Sequence, residues 1–131
     1  MNSQKTAILD ASAILAILHR EKGAEKLTDE VLDRSAVSTV NLAEVQGMLV
    51  DRGLDVDEAW THATSVAESV EAFTEEHAKI AGGLIRQTKT IGLSLGDRAC
   101  LALAISLKGE VYTTERTWKS LKLGIPIHVI R

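Results

Sequence analysis

Four acidic side chains of this sequence stand beside the ends of short apolar runs, where α/β proteins usually carry their chemistry. Three follow a run of strand-like length and the fourth opens a long apolar segment, in the order Asp10, Glu44, Glu115 and Asp97. Carboxylates gathered in one pocket repel one another, and a hard divalent cation such as Mg²⁺ removes that penalty through oxygen ligands. The reaction this set favours is phosphodiester hydrolysis by metal-activated water. No histidine, lysine or cysteine is then required as nucleophile or base.

Each of these carboxylates also has an ordinary structural explanation when it is taken alone. Asn41 stands in capping-box spacing before Glu44, and Ser94 has the same relation to Asp97. The acid after the first strand suits a helix cap, and the acid after the fourth strand suits solvent. Taken together the preference reverses, because parallel strands bring the three post-strand acids to one sheet edge, where one helix start can join them.

Two hydroxyl side chains and the histidines are weaker candidates. Ser12 and Thr113 are suited either to hold a metal-bound water or phosphate oxygen or to bond a helix start, with neither role preferred. The histidines are too scattered for a zinc site, which favours surface or helix-edge roles for His19, His62, His77 and His128. Two of them would still suffice for a metal-independent ribonuclease by acid–base catalysis. Asp10-Ala-Ser lacks the second carboxylate of haloacid-dehalogenase-type phosphatases, which argues against an aspartyl-phosphate mechanism.

The elements that must position these residues alternate between strand and helix patterns. Runs with strand-like length and β-branched content are Thr6–Asp10, Ser35–Thr39, Val70–Phe73, Glu110–Thr113 and Ile127–Ile130. Between them apolar side chains recur at helical spacing, as in Leu42, Val45 and Leu49. Strands that alternate with helices pair in parallel, so the sequence predicts a three-layer α/β/α sandwich. Ligands in such sheets gather at the carboxyl ends of the strands.

Further helical stripes are less regular than this one. They comprise Ala24, Leu27 and Val31; then Trp60, Ala63, Ala67 and Val70; then Ile80 and Leu84 with Ala81 and Ile85. The last stripe is interrupted by Gly82 and Gly83, each of which weakens a helix by roughly 1 kcal/mol, so close packing is predicted there. The segment 97–108 is apolar nearly all round, which predicts a buried helix with Gly109 as its stop.

Composition predicts one soluble, intracellular domain over residues 1–131, with 45% hydrophobic and 25% charged residues. The start of the chain lacks a signal-peptide pattern, and the apolar runs fall short of the about 20 residues that span a bilayer. Cys100 is the only cysteine and stands among apolar neighbours, which predicts a buried small side chain rather than a reactive thiol. A net charge of −3 and 3% aromatic residues lean against a nucleic-acid binder.

Four segments together resemble PIN domains. They are Asp10-Ala-Ser after the first strand, Asn41-x-x-Glu44, the segment 92–104 that holds Asp97, and the segment 111–118 that holds Glu115. The likeness is greatest to the VapC toxins of type II toxin–antitoxin modules, and it covers essentially the whole chain from Asp10 onward. The segment around Asp97 is the most specific part of this resemblance.

This resemblance implies a five-stranded parallel sheet and Mg²⁺- or Mn²⁺-dependent endoribonuclease activity, often on structured RNA such as tRNA. It also implies a homodimer that is silenced by a cognate VapB-like antitoxin, which inserts a segment near the acidic pocket and binds promoter DNA. Asp10, Glu44 and Asp97 match the three central acidic positions of the family. Glu115 departs from the family's Thr-x-Asp pattern after Thr113, so we expect it to reach an ion through water.

Four basic residues adjoin the site segments and are suited to touch RNA phosphates, namely Arg98, Arg116, Lys119 and Lys122. Ordinary surface solvation is the commoner role for any one of them. An acidic pocket accounts for part of the negative charge, and a bound metal ion would reverse the local field.

The leading hypothesis is a cytoplasmic RNA-cleaving toxin in which Asp10, Glu44 and Asp97 are direct or water-mediated metal ligands and Glu115 supports them. A second hypothesis is a PIN-like module with weak catalysis that acts mainly through its protein partner. A third is a metal phosphatase or DNA nuclease on a similar sheet.

Overall fold

A five-stranded parallel sheet forms the centre of the molecule, as the alternating pattern predicts. The computed structural model describes residues 4–131. Residues 1–3, which belong to the predicted domain and to the start predicted to lack a signal peptide, lie outside the described residues. The strands are β1 (Ala7–Leu9), β2 (Ser35–Ser38), β3 (Ser69–Glu71), β4 (Glu110–Thr113) and β5 (Ile127–Val129). They pair in the order β3-β2-β1-β4-β5, and every pair is parallel. The strand order therefore switches between β1 and β4, where parallel sheets open a crevice.

Helices cover both faces of this sheet and complete the predicted α/β/α sandwich. They are α1 (Ala11–Leu18), α2 (Asp29–Asp33), α3 (Thr39–Asp51), α4 (Val56–Ala63), α5 (Glu75–Gly83), α6 (Ile85–Thr88) and α7 (Leu95–Leu107). Single 3₁₀ turns occupy Ala24–Lys26, Lys89–Ile91 and Arg116–Ser120. In the described part of the chain, no helix is both long enough and apolar enough to cross a bilayer.

Two apolar cores lie on opposite faces of the sheet, and the central strand β1 contributes to both. Ala7 and Leu9 pack with residues of α1, α3 and α4, whereas Ile8 packs with α7 and the buried ring of Trp118. Alternation of side chains between the faces of a strand places these neighbours on opposite sides. Because β1 is fully buried on both faces, the residue that follows it is held in a rigid and largely dry position.

Of the two capping boxes that the sequence predicts, the structure has the one at α7 and lacks the one at α3. Ser94 and Asp97 form a complete capping box at the start of α7, as their spacing predicts. The prediction that Asn41 caps a helix is wrong, because α3 begins at Thr39 and Ser38 is its N-cap. Asn41 therefore lies inside the first turn of α3, which frees its side chain for contacts outside its own helix.

Several helical predictions were wrong at helix ends. The stripe from Trp60 breaks after Ala63, where α4 stops and the chain turns toward β3, and the stripe from Ala24 splits into a 3₁₀ turn and the short α2. Gly82 and Gly83 are exposed at the end of α5, with nothing within 4 Å of where a Cβ atom would stand, so no close packing requires them.

The end of α7 also differs from the sequence prediction. Lys108, not Gly109, adopts the left-handed conformation that ends the helix, with φ of 53°. Gly109 is needed for another reason, since a Cβ atom there would lie 2.6 Å from the carbonyl oxygen of Thr6. This close approach lets β4 begin beside β1, and it fixes the two strands that border the crevice.

Candidate active site

Asp10 lies at the carboxyl end of β1, directly at the switch in strand order, and its side chain is 3% exposed. Its Oδ1 accepts hydrogen bonds from the Ala13 backbone N–H at 2.8 Å and from Ser12 Oγ at 2.7 Å. Its Oδ2 accepts a bond from Thr113 Oγ1 at 2.6 Å. Asp10 is thus the N-cap of α1, as its position predicts, and it also joins β1 to the end of β4.

The two hydroxyl groups that bind Asp10 are themselves held by the backbone after β4. Ser12 Oγ accepts the Thr114 N–H and Thr113 Oγ1 accepts the Glu115 N–H, both at 3.0 Å. A hydroxyl that accepts one bond has its own proton free to donate elsewhere, so each proton is directed to the carboxylate. Ser12 and Thr113 therefore orient the Asp10 carboxylate. That they also hold a metal-bound water or a phosphate oxygen stays a prediction.

Burial makes the charge on Asp10 costly. It raises the pKa of Asp10 to about 6, although the bonds from Thr113, Ser12 and Ala13 oppose the rise, and the negative charge of Asp97 adds to it. A positive charge placed nearby would stabilise the ionised form of this buried carboxylate. Its pKa also lies close enough to neutrality for the group to change its protonation state within the physiological range.

Glu44 is half-buried on α3, and its carboxylate lies against the start of α7. Its Oε1 accepts a bond from Asn41 Nδ2 at 2.9 Å, and the same amide donates to the carbonyl oxygen of Gly96 at 3.0 Å. A Cβ atom at Gly96 would overlap the carboxylate of Glu44. Burial raises the pKa of Glu44, the Asn41 bond lowers it, and the charge of Asp97 raises it again.

Asp97 links the other two acids electrostatically, because its charge raises the pKa of both Asp10 and Glu44. Its Oδ2 accepts the Ser94 N–H at 3.0 Å within the capping box. The buried thiol of Cys100, one turn further along α7, has its pKa raised by burial and then by the charges of all three acids. Cys100 is therefore a neutral buried side chain, as predicted, and it lies within the electrostatic reach of all three carboxylates.

Glu115 is not joined to this group. Its side chain is exposed, and across residues 4–131 it makes no hydrogen bond or ion pair, although its backbone N–H binds Thr113. The structure therefore brings Asp10, Glu44 and Asp97 into one electrostatic neighbourhood. The assignment of Glu115 as a fourth acid of this site stays a prediction.

The residues present fit a divalent cation that keeps part of its water shell. No lysine, arginine or histidine forms an ion pair with any of these acids in the described part of the chain, so their charge is uncompensated. Among the same residues, no three acidic, histidine or cysteine side chains converge closely enough to enclose an ion. Mg²⁺ is commonly held through only one or two carboxylates, with water and substrate oxygens completing its shell.

The basic candidates differ in how freely they can reach a substrate. Arg98 Nη1 donates to the Ala81 carbonyl at 2.8 Å, and its Nε is buried without a partner in the described residues, so this side chain ties α7 to α5. Arg116 Nε donates to the Arg131 carbonyl at 3.2 Å. The ammonium groups of Lys119 and Lys122 are on exposed residues. The RNA-contact assignments remain predictions, and Arg98 has the least free side chain of the set.

A separate apolar pocket of about 180 Å³ lies where α1 meets the connection between α3 and α4. It is lined by Leu18, His19, Leu49, Leu54 and His62, none of which belongs to the acidic set. His19 also contacts Arg52 at 2.7 Å across this region. Two of the four histidines are thus committed to a surface that is distinct from the carboxylates.

The sequence pattern did not reveal the contribution of two residues, Asn41 and Gly96. Asn41 was interpreted as a helix cap, and Gly96 was passed over although it directly precedes Asp97. A glycine inside the first turn of a buried helix was the available signal, since glycine weakens a helix unless something approaches its backbone closely.

Comparison with known proteins agrees with this geometry. The PIN domain family model matches residues 7–122, which include all four candidate acids. The chain belongs to the PIN-domain family. No curated protein sequence matches this PIN domain significantly.

Solved structures similar to this PIN domain include toxin–antitoxin proteins. A DNA-bound VapBC complex from Salmonella typhimurium has a TM-score of 0.72 and 18% identity, over 95% of this chain and 98% of that one. A toxin–antitoxin complex from Klebsiella pneumoniae has a TM-score of 0.72 and 18% identity, over 91% and 94% of the two chains. VapC20 from Mycobacterium tuberculosis, described as a sarcin–ricin-loop-cleaving toxin, has 16% identity and a TM-score of 0.70, over 92% and 98%. At these identities the likeness establishes the fold.

Proposed function

We propose that this PIN domain is a Mg²⁺- or Mn²⁺-dependent endoribonuclease. The observation that carries the proposal is the uncompensated acidic neighbourhood of Asp10, Glu44 and Asp97 at the switch in strand order. The membership of the PIN family supports a nuclease, and the toxin described as cleaving the sarcin–ricin loop supports structured RNA as the substrate class.

Each side chain has a defined task in this proposal. A divalent ion bound here would lower the pKa of a bound water and stabilise the charge that develops on the leaving oxygen. Asp10 and Asp97 would hold the ion directly or through water, and Glu44 would complete the acidic set from α3. Ser12 and Thr113 keep the Asp10 carboxylate in one orientation, because each donates to a different oxygen. Glu115, whose side chain is exposed, would act through water.

Cleavage of RNA by the partner-free protein tests the proposal. Total RNA, isolated tRNA, ribosomal RNA, single-stranded DNA and a phosphatase substrate are each incubated with Mg²⁺ or Mn²⁺, with EDTA, and with Asp10→Asn or Asp97→Asn protein. We expect discrete RNA fragments that are absent when EDTA is present. In both variants the rate of RNA cleavage should fall at least about 100-fold. The matched control is Asp33→Asn, an exposed aspartate at the end of α2, which should cleave like the wild type. Full metal-dependent turnover by Asp10→Asn would refute the site, and EDTA-resistant cleavage would favour the histidines.

A second candidate is a PIN module that is catalytically weak and works through a protein partner. Two observations favour it: the exposed Glu115 side chain makes no hydrogen bond or ion pair in the described residues, and no three metal-binding side chains converge there. It predicts no metal-dependent cleavage by purified protein, together with partner binding that survives loss of the acids. Glu115→Asp restores the family pattern and separates the two, because the weak-module hypothesis expects cleavage only in that variant, whereas the nuclease hypothesis expects metal-dependent cleavage already in the wild type.

We further propose that the protein is the toxin of a toxin–antitoxin pair in the cytoplasm and forms a homodimer. The similarity to solved VapBC complexes supports an antitoxin partner. Exposed apolar side chains on α3 and α4, among them Met48, Val56 and Trp60, support a protein-binding surface. Growth arrest on expression of the chain, relieved by a DNA-binding protein encoded beside it and absent in Asp10→Asn, is the expected result. Toxicity that persists in Asp10→Asn would separate toxicity from cleavage.

A further inference from the structure

We infer that Asn41 is a positioning residue that holds the Glu44 carboxylate against the start of α7. The inference deepens the proposed function and rests on it, since Glu44 belongs to the acidic set of the proposed nuclease. Asn41, Glu44 and Gly96 are called the α3–α7 latch below, because together they join these two helices at the site.

Both amide protons of Asn41 are used across the helix contact. Its side chain is 1% exposed, and Nδ2 donates to Glu44 Oε1 on its own helix at 2.9 Å and to the Gly96 carbonyl on α7 at 3.0 Å. One rigid planar group therefore sets the distance between the Glu44 carboxylate and the helix start that carries Asp97. A change in either bond would move the two acids relative to each other.

Gly96 provides the space that the latch needs. A Cβ atom at this position would overlap both oxygens of the Glu44 carboxylate, so the backbone of α7 forms the wall on which the carboxylate rests. Its backbone conformation is an ordinary helical one, within the first turn of α7. A side chain at position 96 would therefore displace the Glu44 carboxylate, and glycine leaves room for it.

Without the latch, electrostatics would move Glu44 away from the other acids. Burial and the charge of Asp97 both disfavour the ionised carboxylate in this position, and a glutamate has enough rotatable bonds to turn toward solvent. The Asn41 amide opposes this with a neutral donor. It does so at a cost, because Asn41 Oδ1 is buried without a hydrogen-bond partner in the described residues. A buried acceptor of this kind calls for an explanation, and the positioning of Glu44 supplies one.

The variant Asn41→Leu tests the latch, because leucine keeps the branched arrangement of heavy atoms and donates no hydrogen bond. We expect the Mg²⁺ or Mn²⁺ concentration for half-maximal RNA cleavage to rise about 10- to 100-fold, as on loss of other groups that orient a metal ligand. The KM for RNA at saturating metal should change by less than about twofold, since the variant leaves the RNA surface intact. The control is Thr88→Val, which removes one buried hydroxyl bond to the Leu84 carbonyl away from the site and should leave the metal requirement unchanged.

Coupling to Glu44 distinguishes positioning from a general loss of stability. In a Glu44→Ala background, Asn41→Leu should have no further effect on the metal requirement, because the group that it positions is gone. An equal fold-change with and without Glu44 would overturn the inference. So would a metal requirement in Asn41→Leu that matches the Thr88→Val control.

A spectroscopic readout keeps the latch testable if the protein proves not to be a nuclease. In metal-free, ¹⁵N-labelled protein the Asn41 side-chain protons should exchange slowly with solvent, and the proton that faces Glu44 should lose its protection in Glu44→Ala. The exposed side-chain amide of Gln87 provides the fast-exchange reference. Absence of cleavage with a protected, Glu44-dependent amide would refute the function and retain the latch. An Asn41 amide that exchanges like Gln87 would refute the latch itself.

Discussion

At the scale of single residues, Asp10 combines near-complete burial with three hydrogen-bond donors. The donors lower the free energy of its ionised form, yet burial outweighs them and the pKa of Asp10 rises to about 6. Folding is therefore opposed by the ionisation of this residue at neutral pH. Cation-binding sites commonly contain buried carboxylates that destabilise the metal-free fold, because the bound cation offsets the free-energy cost of their charge.

Asp10→Asn should change the pH dependence of stability. The folded pKa lies above the ordinary 3.8, so the native state binds the proton more tightly and the contribution of Asp10 falls as pH rises from about 4 to about 6. At about 1.4 kcal/mol for each pKa unit, the loss approaches 3 kcal/mol above that window. Denaturant unfolding without metal should show Asp10→Asn to be more stable than the wild type at pH 7.5. The two proteins should converge near pH 4.

The matched comparison for this measurement is Asp33→Asn, whose side chain is exposed. Its stability relative to the wild type should stay level across the same pH range. A wild type that equals Asp10→Asn at both pH values would contradict the assigned pKa.

At the scale of elements, the site depends on how closely backbones approach one another. Gly96 allows α7 to meet the Glu44 side chain, and Gly109 allows the start of β4 to pass the Thr6 carbonyl beside β1. These approaches set the positions of Asp97 and Thr113, respectively. Gly82 has no such neighbour and lies in the last turn of α5.

Gly109→Ala and Gly82→Ala should therefore differ in sign. A methyl group at Gly109 would press on the Thr6 carbonyl oxygen, and we expect a loss of about 1–3 kcal/mol of unfolding free energy from this overpacking. Alanine at Gly82 meets open space within a helix and should be neutral or stabilise by up to about 1 kcal/mol. Thermal or denaturant unfolding of both variants decides the point, and equal effects would contradict it.

At the scale of the whole molecule, acidic side chains shielded from solvent differ in whether a basic side chain neutralises their charge. Burial alone would raise the pKa of Glu110, but hydrogen bonds from His128 and Arg34 lower it below its ordinary value. The three acids of the candidate site form no ion pair with a lysine, arginine or histidine in the described residues. Negative charge without an ion-pair partner therefore lies where a cation could be accepted.

Divalent ions should stabilise the folded protein if this uncompensated charge is a binding site. At 100 times its dissociation constant an ion adds about 2.7 kcal/mol, measured as a rise in Tm with Mg²⁺ or Mn²⁺ against NaCl of equal ionic strength. The rise should vanish with EDTA, in Asp10→Asn, and below about pH 5, where Asp10 is protonated. An equal rise in Asp10→Asn would place the ion elsewhere.

Local pattern by itself determined the layered fold and the identity of the candidate acids. Strand length, β-branched content and the alternation with helices predicted all five strands, with ends that differ from the observed ones by at most two residues. The position of acids after parallel strands predicted that Asp10, Glu44 and Glu115 would share one edge of the sheet with Asp97 beside them, because the carboxyl ends of such strands lie together. These features depend on neighbours in the chain, so the chain reveals them.

Only the tertiary structure decided which side chains are in contact. The pairing of Asn41 with both Glu44 and the Gly96 carbonyl joins helices that are far apart in sequence, and no local pattern distinguishes it from a helix cap. The same holds for the bond from Arg98 to α5. Such contacts follow from how rigid elements pack, and packing depends on the shapes of all the surfaces that meet.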